Sequence, residues 1–102
     1  MRPSNHPSRK DLNLSRVLHA LSDPVRLSIV RRIAARGEQA CGTFNLTVAK
    51  STASHHFRVL RESGVIEVRT EGTQSLNSLR RADLDARFPG LLDAVLRAAD
   101  AE

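Results

Sequence analysis

One cysteine, no tryptophan, no tyrosine and only three phenylalanines occur in this chain of 102 residues. A lone Cys41 cannot close an internal disulfide, so a disulfide-stapled secreted scaffold is excluded. No apolar run approaches the ~18 residues of a membrane span. The first ten residues are polar and basic, without the apolar segment of a secretory leader. The expected location is therefore the cytoplasm, away from membranes. The scarcity of aromatics points to a core of Leu, Val, Ile and Ala carried on helices. There is no nucleophile elbow, glycine-rich phosphate loop or paired-carboxylate arrangement, so no enzyme activity is expected. Ser51 and His55 stand one helical turn apart, but they form an ordinary i, i+4 pair with no oxyanion partner to read.

What the chain does have is positive charge. The formal net charge is +5 and the isoelectric point is about 11.0. Residues 1–69 hold 12 Lys and Arg against 5 Asp and Glu, while residues 70–102 hold 4 against 6. The positive field thus belongs to the first two thirds, which suits a polyanionic partner such as nucleic acid. Arginines outnumber lysines fourteen to two. Guanidinium groups bind phosphate and guanine bidentately, which an ammonium cannot copy.

The order of elements is legible from periodicity and punctuation. Residues 1–10 contain two prolines and no apolar period, and are expected to form a flexible arm preceding a single domain over 11–102. Leu14, Val17, Leu18 and Leu21 share one helical face and predict a helix over 11–21. Asp23-Pro24 starts the next helix, with Asp23 as N-cap and Pro24 in the first helical position. Leu27, Val30, Ile33 and Ala34 are its expected apolar stripe, and Gly37 its stop. A short helix is expected over 38–46, with Phe44 and Leu46 turned inward. The stretch from Thr47 to Lys50 reads as a turn. Ser51 then caps a helix that Gly64 ends. Beyond Gly64 the period changes to two, and Glu71-Gly72 between two β-forming runs signals a hairpin. A last helix over 82–99 contains Pro89-Gly90, where a break is expected. Its Leu84, Phe88, Leu91, Leu92, Val95 and Leu96 exceed what a lone peripheral helix needs. A second copy of the chain is the natural cover, so a homodimer is expected. The fold class is mostly α with a small β-hairpin, in the order α-α-α-α-β-β-α.

A tight connection, a polar helix and then a hairpin make the winged helix-turn-helix layout. Ser51, Thr52, Ser54, His55 and Arg58 lie largely opposite Phe57 and Leu60, and the stretch from Ser51 to Arg61 carries no acid. Serine and threonine hydroxyls exchange hydrogen bonds with base edges and phosphates, and Arg58 suits guanine or phosphate. The helix N-terminus adds unpaired N–H groups that attract phosphate. The same pattern also fits an ordinary solvated helix face, or a winged helix used to bind protein. Double-stranded DNA is the partner favoured by the acid-free surface.

The segment LSDPVRLSIVRRIA resembles the "L-x-D-P-x-R-L-x-I-L" opening of the arsenic-repressor (ArsR/SmtB-type) family of bacterial regulators. STASHHFRVLRESGVI resembles that family's "S-T-x-S-x-H-L-x-x-L-x-x-A-G-L-V" recognition block. The resemblance runs from Leu21 to Gly72, about half of the chain. It implies a dimeric repressor of transcription that binds a palindromic operator, pairs through its first and last helices and is released by a signal. It places Lys50, Ser51, Thr52, Ser54, His55 and Arg58 at the DNA, with Arg69, Thr70 and Thr73 reaching it from the wing. His56 matches the family's histidine, either on a phosphate or as a buttress of the helix. Glu71 is expected to point away.

Many members of that family respond to metals. One family site resembles "E-L-C-V-C-D-L", where this chain has GEQACGTF with Cys41 alone. A second uses Asp and His pairs on the last helix, where this chain has Asp83, Asp85 and Asp93 but no His. No resident cofactor is expected. A nickel- or zinc-responsive repressor with an atypical site across a dimer, drawn from His6, His19, His55, His56, Cys41 and the acidic residues, stays open. Otherwise Cys41 is a small buried hydrophobe or a redox-sensing thiol.

Overall fold

The computed structural model describes residues 6–102. Its elements are α1 (Leu14–Leu21), α2 (Pro24–Arg36), β1 (Gln39–Ala40), α3 (Lys50–Ser63), β2 (Ile66–Glu71), β3 (Gln74–Leu79), α4 (Arg81–Arg87) and α5 (Leu91–Asp100). Short 3-10 turns at Arg9–Asp11 and Cys41–Thr43 complete the set. The three strands form one antiparallel sheet in the order β1-β3-β2. The expected hairpin runs from Ile66 paired with Leu79 to Glu71 paired with Gln74. Gly72 takes the turn with φ 62°, a left-handed angle that glycine adopts without a Cβ penalty.

Local chemistry explains most boundaries. The Asp23 carboxylate accepts from the backbone N–H groups of Val25 and Arg26, which caps α2 behind Pro24. Asn13 does the same for α1 by accepting from Arg16. Gly64 ends α3 with φ 87°, its N–H donating to the last carbonyls of the helix. It also sits in a crowded place, where an added Cβ would collide with Leu12. The break at Pro89-Gly90 separates α4 from α5.

Three expectations about elements change. Residues 38–46 do not form an α-helix: Gln39 and Ala40 pair with Asn77 and Leu76 on the edge of β3, and Cys41–Thr43 is a single 3-10 turn. Phe44 is nonetheless buried, with its ring edge-on to Phe57 at 5.4 Å between centroids. Helix α3 starts at Lys50 behind Ala49, so Ser51 lies within its first turn and does not cap it. The buried stripe of α2 is Arg26, Ile29, Val30 and Ile33, one step round from the expected one. The expected arm reached residue 10, and its residues 1–5 lie outside the described residues. From His6 onward the chain is tied down. Val68 donates to His6 Nε2, Arg80 donates to the Pro7 carbonyl at 2.6 Å, and Arg9 pairs with Asp83.

The core gathers Val17 and Ala20 of α1, Ile29, Val30 and Ile33 of α2, and Phe57 and Leu60 of α3. Val65, Ile66, Leu84 and Leu92 close it from the sheet and the C-terminal helices. Burying one such Leu or Ile side chain contributes about 2 kcal/mol, and together they hold α3 as a rigid bar on the molecule's surface.

Candidate nucleic-acid interface

Helix α3 is divided sharply into two sides. His56, Phe57, Leu60 and Ser63 face the core. Ser51, Ser54, His55 and Arg58 recur at i, i+3, i+4 and i+7 and are all exposed, with Lys50 and Thr52 exposed beside them. Among the described residues none of Lys50, Arg58 and Arg61 has a carboxylate partner, so their charge is directed at solvent. No side chain caps the N-terminus of α3, which leaves its first N–H groups open beside Lys50, Ser51 and Thr52. Such a face offers donors, hydroxyls and a guanidinium, with no acid in the stretch from Ser51 to Arg61 to repel phosphate.

The mount behind this face is polar. Arg26 is 7% exposed and His56 is 8% exposed. The Arg26 guanidinium donates through Nε to the Ala20 carbonyl at 2.8 Å and through Nη2 to the His19 carbonyl at 3.2 Å. It thereby ties the Ala20 carbonyl at the end of α1, and joins Ser22 on the His19 carbonyl. Its Nη1 lies 3.2 Å from His56 Nδ1. Because a guanidinium only donates, Nδ1 is the acceptor there. Asp23 Oδ2 stands 3.9 Å from the same nitrogen. The backbone N–H of Arg26, above all, holds the Asp23 carboxyl below the usual carboxylate range, with the Val25 N–H and the Arg26 guanidinium adding to it. One arginine thus joins the ends of α1 and α2 to the middle of α3. His56 is a buttress and stands apart from the outward residues. Its position four and seven residues before Leu60 and Ser63 was the sequence signal for that.

The wing is arranged differently from expectation. Arg69 donates to both Glu38 carboxylate oxygens, from Nε at 2.9 Å and Nη2 at 2.8 Å, and to Glu71 from Nη1 at 2.8 Å. Its charge is held by two carboxylates, and Glu71, expected to point away, is one of them. The Arg69 bonds pull the Glu38 carboxyl below its usual range. They raise the Arg69 guanidinium further above its already high value. Thr70 and Thr73 are exposed on the hairpin.

The remaining candidate ligands do not converge. Among the described residues no group of three or more His, Cys, Asp or Glu is placed to hold a metal ion. Asp83 is paired with Arg9 and Arg80, and Asp93 with Arg81. Rings of His55 and His56 are tilted by 54°, with centroids 5.8 Å apart. Cys41 is exposed, not buried as one reading had it, and its Sγ accepts from Asn77 Nδ2 at 3.1 Å. Among the described residues no helix is long and apolar enough to cross a membrane.

Comparison with known proteins agrees with this geometry. The family described as "Helix-turn-helix domain" matches residues 21–69. An uncharacterized HTH-type transcriptional regulator of Bacillus subtilis, YceK, is 33% identical over 84 residues, covering 79% of this chain and 84% of its own. The crystal structure of an ArsR family transcriptional regulator superposes with a TM-score of 0.67 at 22% identity, covering 79% of this chain and 90% of the other, which speaks for the fold. The transcriptional repressor BigR from Xylella fastidiosa superposes with a TM-score of 0.60 at 29% identity, over 80% of this chain and 97% of its own. With the recognition helix, its mount and the wing in this order, the chain belongs to the HTH-type transcriptional regulators, a family of DNA-binding proteins and not of enzymes, and it shares its winged helix-turn-helix fold with the ArsR family regulator.

Proposed function

We propose that the protein is a homodimeric repressor that covers an imperfect palindrome and leaves it when a signal binds. The observation that carries this reading is the outward face of α3, with Ser51, Ser54, His55 and Arg58 exposed in one row and Lys50 and Thr52 at its start. In a major groove this row meets base edges, while the open N–H groups and Lys50 meet phosphate. Thr73 extends the contact from the wing, and Arg69 joins only by giving up Glu38 or Glu71. Repression by promoter occupancy is supported by the likeness to a protein described as a repressor.

Pairing is supported by apolar surface left over from the core. Leu14 and Leu18 of α1 are 46% and 44% exposed and stand one turn apart. Leu91, Val95 and Leu96 of α5 are only partly covered. A second copy would bury both sets and place two α3 helices about one helical turn of DNA apart.

Selection of genomic fragments by the purified protein, followed by sedimentation of the complex, tests this reading. The expected result is one enriched palindromic site carrying two chains. Enrichment of no sequence, or a one-to-one complex, refutes it. Parallel selections with chelator and with added nickel or zinc separate a metal signal from any other.

A further inference from the structure

We infer that the cleft between α3 and the wing is a binding site for a small amphipathic organic anion, whose occupancy excludes DNA. The cleft has a volume of about 480 Å³. That lies within the ~300–1,000 Å³ range of small-molecule sites. Its floor is apolar, formed by Leu46, Phe57 and Val68. Its rim carries Lys50, Arg58 and Arg61, and no acid lines it. These three cations have no carboxylate partner among the described residues. The wall on the β3 side holds Asn77, which is fully buried and whose Oδ1 has no hydrogen-bond partner. A buried carboxamide oxygen without a donor is a standing cost to the fold, which a ligand N–H or O–H offsets.

A DNA phosphate uses the cations of this rim but leaves the apolar floor and Asn77 unanswered. A compound with an aromatic or short aliphatic body, one N–H or O–H donor and one carboxylate or sulfonate answers all three. Lys50, Ser54 and Arg58 line the cleft and also stand on the outward face of α3, so one occupant displaces the other. This inference rests on the repressor reading and supplies its releasing signal by chemical class. By linkage, DNA must weaken the anion as strongly as the anion weakens DNA.

Cys41 gives a direct test, because it is the chain's only thiol, is exposed, and lines the same cleft. The probe is 1-anilinonaphthalene-8-sulfonate, with N-phenyl-1-naphthylamine as its uncharged counterpart. The DNA-free protein is expected to bind one sulfonate per chain and to lose at least about fivefold in the rate of Cys41 alkylation by iodoacetamide. Arg61→Ala should weaken the sulfonate about tenfold, the size of one charge-assisted hydrogen bond, and leave the uncharged amine unchanged. Ala53→Phe, which fills the cleft, should abolish sulfonate binding while circular dichroism stays native. In the same titration the anisotropy of labelled operator DNA should fall as sulfonate rises. Sulfonate that binds without protecting Cys41, equal affinity for both probes, or no binding to a protein that still binds operator overturns the cleft site. A protein that seats the sulfonate and protects Cys41 but binds no DNA overturns the repressor reading and leaves the site standing.

Discussion

Replacing Glu38 and Glu71 by glutamine should make the protein bind DNA more tightly, although neither residue is placed to touch it. In the native wing Arg69 and the two carboxylates carry a net charge of −1, and all three hydrogen bonds of the cluster lie between 2.8 and 2.9 Å. The double substitution turns this local charge into +1 and leaves the guanidinium with weaker, neutral acceptors. One additional phosphate contact then becomes available per chain. Each neutralised phosphate steepens the slope of log affinity against log salt by about 0.9. Exposed pairs are weak, so the gain in affinity at moderate salt should be about fivefold per chain and not hundreds. Conversely, Arg69→Ala in the native background should lower affinity by no more than about twofold, because no phosphate contact is lost and the change of local charge from −1 to −2 is exposed and screened by salt. Fluorescence anisotropy of a labelled duplex from 50 to 300 mM salt measures both quantities. A native-background Arg69→Ala that costs tenfold or more, with the double glutamine variant unchanged, would refute the reasoning. Arg69 would then already leave its carboxylates in the complex without cost.

Three further outcomes follow from the mount and the caps. Gly64→Ala forces a side chain into a left-handed position against Leu12 and should cost about 2–4 kcal/mol by urea denaturation; an unchanged midpoint would show that the α3–β2 corner relaxes freely. Arg26→Ala removes a donor to the Ala20 and His19 carbonyls and to His56, and should cost about 3 kcal/mol, with a parallel loss of DNA affinity that Arg26→Lys does not fully restore. The Arg9 hydrogen bond first, then Arg80, holds the Asp83 carboxyl below its ordinary value of 3.8. Its contribution is therefore complete above that value and lost as pH falls through the lower folded one. Asp83→Asn should be less stable than the native chain at pH 7, with the gap closing as pH falls below about 4; a gap that does not shrink on acidification would show that the Asp83 charge contributes nothing.

The parts of the fold governed by neighbouring residues were legible in the sequence. Asp23-Pro24, Gly64, the Glu71-Gly72 hairpin and the Pro89-Gly90 break each act within a turn of chain. The parts decided across the chain were not. Gln39 and Ala40 become a strand only because β3 offers an unpaired edge 36 residues or more further on. A count of apolar residues passes over Arg26, yet it lies at i, i+3, i+4 and i+7 with Ile29, Val30 and Ile33. Its charge is tolerated inside because it has carbonyl acceptors on α1 and an imidazole on α3. The outward row of α3 was readable from its spacing. The capture of Arg69 was not, since Glu38 approaches it from a segment 31 residues away.

The central claim is that the outward row of α3 reads duplex DNA, and Arg58→Ala tests it most directly. Affinity should be measured for the selected genomic site and for random duplex, across the same salt series. Arg58 is exposed and without a partner among the described residues, so its loss should leave stability within ~0.5 kcal/mol. The account predicts a loss of about 1–3 kcal/mol on the selected site and a smaller loss on random DNA. Unchanged affinity for both, or binding that does not respond to salt, would contradict it.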